Sequence, residues 1–244
     1  MNFIYPALLF VITFAGGSVP IWFKGLNDRR MHLLLAFSGS FLLSITFLHL
    51  LPETFTELGG SAGLYILIGF FLQLILQRYT HGLEHGHVHA HTDEHGHTHI
   101  PLLSILLGLT LHAFMEGLPL GFNYRMQATE PSLYLAVAAH KIPEAILVTS
   151  LVASNKSKHK AVGLLILFSL ITPFAGYLAS MLGSSYHLMS KMVIVLIPVV
   201  AGAFIHISTT IFFESGTKHH MLTWQKILAI VAGMSMGLTT LLFE

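Results

Sequence analysis

Apolar residues fall along this chain in eight runs, each close to the roughly 20 residues that a helix needs to cross a bilayer core of about 30 Å. The runs cover roughly 3–23, 31–52, 62–79, 101–123, 132–153, 161–182, 192–213 and 225–243. The polar stretches between them are short except at 80–99. This pattern predicts an all-α integral membrane protein of eight transmembrane helices, with residues 1–244 in one membrane domain and consecutive helices as antiparallel neighbours. No basic segment precedes the first run and no small-residue cleavage pattern closes it, so it reads as a retained helix rather than a signal peptide.

Basic residues orient the bundle. Lys24, Arg29, Arg30, Arg78, Lys156, Lys158, Lys160, Lys218 and Lys226 flank one set of run ends, and only Arg125 and Lys191 flank the other. The positive-inside rule places the first set in the cytoplasm and both termini on the extracytoplasmic side. Composition agrees, because 54% hydrophobic and 9% charged residues with a mean hydropathy of +0.73 exclude a soluble domain, which carries about 25% charge. A net charge of +1 points to no nucleic-acid partner, and the lack of cysteine removes disulfides and thiolate ligands. Histidine and carboxylate remain as the metal-binding chemistry.

Those two residue types recur inside the runs, as His49/Glu53, His112/Glu116 and His140/Glu144. Charged groups are costly in hydrocarbon, so they must face protein, water or a cation. Residues i and i+4 share a helix face, and the fourth and fifth runs are antiparallel. His140 and Glu116 then lie about 11–12 Å from the outer helix ends, and His112 and Glu144 about 17–18 Å, so each histidine meets the other helix's carboxylate. Such a four-ligand cage suits a borderline divalent ion, Zn2+ first, with Fe2+, Mn2+, Co2+ and Cd2+ behind it. Pro119 and Pro143 interrupt the same two helices, as at the midplane sites of transporters. The alternative is that these groups bond across helices as structural glue. Glycines inside the runs, among them Gly117, Gly163, Gly202, Gly233 and Gly237, are expected to let helices pack closely.

Other candidates carry two readings each. His49 and Glu53 stand at the predicted outer end of the second run, where they would collect ions at an entrance or sit in interfacial water with Pro52 ending the helix. His206 reads as an interior histidine or as a ligand along a pathway. The 80–99 segment holds His81, His85, His87, His89, His91, His95, His97 and His99. It is expected to be a disordered cytoplasmic loop that buffers arriving metal.

With those motifs in place, the chain resembles the ZIP family of divalent metal permeases over nearly its whole length. His49-Leu-Leu-Pro-Glu53 is similar to the family's second-helix motif, and His112-x-x-x-Glu116-Gly117 and His140-x-x-Pro143-Glu144 to its fourth- and fifth-helix metal motifs. Ser169-Leu-Ile-Thr-Pro173 and Ala201-Gly202-Ala203-Phe204 resemble the sixth- and seventh-helix signatures. The resemblance implies that His112, Glu116, His140 and Glu144 are transport ligands, and it allows a homodimer. Many members hold two ions, using an Asn after the fourth-helix His, an acidic residue after the fifth-helix His, and another on the sixth helix. Here Ala113 and Lys141 take the first two places, and no carboxylate lies between Ala161 and Leu182. A mononuclear site is therefore expected, with the Lys141 ammonium in roughly the second cation's place, unless Lys141 snorkels to the outer water.

These readings predict uptake of a divalent metal, as substrate, into the cytoplasm by alternating access, across a plasma or bacterial inner membrane. The alternatives are an intramembrane zinc-dependent hydrolase and a metal exporter using the same site. Neither an H-E-x-x-H motif nor a phosphate-binding GxxxxGK[ST] loop is present.

Overall fold

Asn27 starts the second helix by chemistry that a sequence can carry. Its backbone is extended at φ −69° and ψ 156°, and its side chain accepts the Arg30 N–H at 2.9 Å, so α2 (Asp28–Ile45) begins one residue later. Before it, α1 spans Ile4–Trp22. The computed structural model describes residues 4–23, 27–80, 91–92, 98–99, 102–121, 130–155, 157–185, 187–214 and 223–242. Downstream, α5 (Leu102–Leu120), α6 (Glu130–Asn155), α7 (Lys158–Ser185) and α8 (His187–Glu214) precede α9 (Trp224–Thr240). Thr223 caps α9 by accepting the Lys226 N–H at 3.3 Å.

The second run is longer than its pattern suggests. After α2, a π-helical turn over Thr46–Leu50 leads directly into α3 (Leu51–Leu58), with the Leu51 N–H bonding the Thr46 carbonyl five residues back. Pro52 follows that widened turn, where the hydrogen-bond pattern has already shifted and a missing N–H is accommodated. His49 and Glu53 therefore lie within a continuous helical rod, and Pro52 does not end it. The rod stops at Gly59, whose φ of +54° lies in the left-handed region. A short 3-10 turn, Gly59–Ser61, then leads into α4 (Ala62–Thr80).

Six stretches of the described residues are long and apolar enough to cross a membrane: Ile4–Trp22, Arg29–Tyr79, Leu102–Leu120, Pro131–Ala153, Lys158–Leu182 and Ile194–Phe212. Arg29–Tyr79, at 51 residues, is the rod and α4 taken together. Polarity runs inside out. Leu67, Phe71 and Ile75 on α4, Leu103, Leu107 and Leu111 on α5, and Leu167, Leu170 and Phe174 on α7 are exposed, whereas His112, Glu116, His140, Lys141 and Glu144 are buried. An apolar surface of that extent around a polar interior is suited to lipid.

Consecutive helices from α4 to α8 touch as expected, but they do not share the largest contacts. The most extensive pairings are α1 with α6, α2 with α9, α4 with α8, and α5 with α7. Small residues at the crossings explain the choice, since a helix backbone approaches closest where no side chain intervenes. A Cβ on Gly202 would meet the Ile66 carbonyl, one on Gly69 the Val199 carbonyl, one on Gly117 the Thr172 carbonyl, and one on Gly233 the Ser40 hydroxyl and Phe37 carbonyl. Gly163 departs from that expectation, because among the described residues no neighbouring side chain or other helix lies within 4 Å of the corresponding point.

Candidate metal centre

α5 brings His112 and Glu116 onto one face, and α6 does the same for His140 and Glu144. The two helices barely touch through their backbones, because α5 leans on α7 while α6 leans on α1 and α2. Side chains fill the space left between them. One donor atom from each of His112, Glu116, His140 and Glu144 lies within 4.8 Å of all the others, and all four side chains are buried. His112 Nε2 stands 3.4 Å from Glu116 Oε1 and 3.7 Å from Glu144 Oε1, and His140 Nε2 stands 3.7 Å from Glu116 Oε1. Each histidine thus reaches the carboxylate of the other helix, as the antiparallel register predicts. The imidazoles meet edge to face with centroids 6.0 Å apart.

These spacings suit a small ion. Four ligands about 2.0–2.2 Å from a tetrahedral centre lie about 3.3–3.6 Å from one another, close to the separations observed. His112 Nε2, His140 Nε2, Glu116 Oε1 and Glu144 Oε1 also find no hydrogen-bond partner among the described residues. Buried polar atoms are rarely left so. Four that share one small space make a donor set of two nitrogens and two oxygens that could hold a divalent cation.

Lys141 completes the cluster. Only 1% exposed, it does not snorkel to water, and its Nζ lies 2.5 Å from Glu116 Oε2 and pairs with Glu144 Oε2. Its ammonium also sits 5.3 Å from the centroid of the Phe168 ring on α7, within cation–π range. Phe168 was not legible as part of this site, since its rotation towards α6 depends on how α7 packs. From α7 too, Thr172 donates to the Ala113 carbonyl at 3.0 Å, beside His112, and the buried Ser169 hydroxyl has no hydrogen-bond partner among the described residues. Both lie in the Ser169–Pro173 motif, which was a signal for this contact.

The remaining candidates lie apart from the four. His49 is buried and its Nε2 stands 2.7 Å from Thr240 Oγ1 on α9. Glu53 lines a small crevice with Thr54, Glu57, Ile194 and Ile197. His206 is buried against Phe70, edge to face at 4.9 Å between centroids, with Nδ1 lacking a hydrogen-bond partner among the described residues. In the histidine-rich segment, His91–Thr92 (β1) pairs antiparallel with Thr98–His99 (β2), His91 opposite His99. His81, His85, His87, His89, His95 and His97 lie outside the described residues, and with them the expected loop disorder.

A family model described as ZIP Zinc transporter matches residues 4–102 and 84–243. A comparison with curated proteins finds no match.

Proposed function

Since the chain belongs to the ZIP zinc transporter family, we propose that it carries Zn2+ inward through a mononuclear site formed by His112, Glu116, His140 and Glu144. Family membership makes it a multi-pass membrane protein that moves divalent metal ions, a transporter and not an enzyme. The reading of this site rests on one observation: four buried donor atoms within 4.8 Å of one another, from two facing helices, with no hydrogen-bond partner among the described residues.

In this cycle a hydrated dication enters from outside and exchanges water for two imidazoles and two carboxylates. It leaves towards the cytoplasm when one part of the bundle rocks against the other. Eight spans in one domain, with both termini outside a plasma or bacterial inner membrane, put the basic helix ends and the histidine-rich segment on the receiving side. That segment would buffer the arriving ion, with Fe2+, Mn2+, Co2+ and Cd2+ as further substrates. His49 and Glu53 near the entrance, His206 along the path and a homodimer complete the proposal. Lys141 stands where a second cation would otherwise balance the two carboxylates, so one ion binds at a time.

The test is metal accumulation in cells that make wild type, His140→Ala or Glu144→Ala. Wild type should accumulate Zn2+ and both variants should fall to the level of cells lacking the protein. Equal accumulation by all three would end this assignment. Metal-loaded vesicles distinguish the alternatives, because an exporter gives net efflux and a hydrolase gives turnover without metal flux.

A further inference from the structure

The two carboxylates divide their oxygens between two tasks. Oε1 of Glu116 and Oε1 of Glu144 face the imidazoles, at 3.4 Å and 3.7 Å from His112 Nε2. Oε2 of each faces the Lys141 ammonium. The ammonium is buried, with the Phe168 ring centroid 5.3 Å away. A carboxylate whose second oxygen is held by a buried cation can offer a metal only one oxygen. Bidentate binding would break a buried ion pair with Lys141, which for Glu144 is also a charge-assisted hydrogen bond, and leave a buried charge uncompensated.

Resting on the transport reading above, we propose that Lys141 is a specificity-determining residue that holds both glutamates monodentate and caps the protein at four ligand atoms. Two imidazole nitrogens and two single carboxylate oxygens satisfy an ion that accepts a tetrahedron, as Zn2+ does. Ions that prefer about six oxygens, such as Mn2+, or six to eight with bidentate carboxylates, such as Ca2+, are left short of ligands. The charge of Lys141 is not what selects between them. One ammonium opposes every dication alike, so charge lowers all affinities together while the occupied oxygens sort ions by coordination number.

Lys141→Met keeps the length of the side chain and removes the cation, and Lys141→Gln is a second neutral variant should the first fold poorly. Purified wild type loaded with Co2+ alone should show the intense visible absorption of a four-coordinate ion. Either variant should show the weaker absorption of a higher coordination number. In proteoliposomes supplied with Zn2+ and Mn2+ together, the ratio of Mn2+ to Zn2+ uptake should rise about tenfold in the variants, or about 1.4 kcal/mol of relative affinity. A six-coordinate spectrum in wild type, or unchanged spectrum and ratio in both variants, overturns the proposal. A wild type that binds Co2+ four-coordinate yet moves no metal would sink the transport reading and leave the coordination cap standing.

Discussion

At the scale of single residues, the proposed mononuclear site makes position 141 the one that sets how many cations the cluster balances. Lys141→Glu exchanges an ammonium for a carboxylate beside Glu116 and Glu144, so metal titration of the purified variant should rise from one ion per chain to two. A titration still giving one would remove Lys141 from the second cation's place. Thr240 is a milder case, since Thr240→Val unties His49 Nε2 from its hydroxyl partner. The loss of one buried hydrogen bond should cost about 1 kcal/mol, read as a lower melting temperature in detergent. The sequence carried the four donors well, because i,i+4 spacing and antiparallel register place them without knowledge of packing. The surroundings were not legible for the opposite reason. Lys141 has a route outward and a route inward that local spacing does not separate, and the partner of His49 lies 191 residues away.

At the scale of elements, glycine faces select which helices meet. Gly202 on α8 lies against the α4 backbone at Ile66 and Phe70, so Gly202→Leu should force the pair apart at a cost of about 1–3 kcal/mol. Gly163→Ala meets nothing and should be neutral or stabilise α7 by up to about 1 kcal/mol. Comparing the two melting temperatures checks both, and equal shifts would refute the packing account. Helix existence was legible because long apolar runs admit little else in lipid. Helix partners were not, because short connections constrain chain order without fixing which small-residue faces match. The continuation of the second helix past Pro52 was hidden as well, since a π turn leaves no compositional mark.

At the scale of the whole molecule, the charged interior and apolar exterior make conduction sensitive to pH and voltage. On the proposed transport reading the dication competes with protons for the same nitrogens and oxygens, so uptake should fall as the external medium is acidified. A flat profile from neutral to acidic pH would contradict binding at imidazole and carboxylate. Carrying two charges inward gains about 4.6 kcal/mol per 100 mV of inside-negative potential, at about 2.3 per charge. Uptake into proteoliposomes should therefore rise with an imposed diffusion potential. The same interleaved pairing bears on how the chain is made. A ribosome feeds α1 and α2 into the membrane long before α6 and α9 exist, and α4 long before α8. The early half must wait in lipid with its seams open until α6, α8 and α9 arrive in turn to close them.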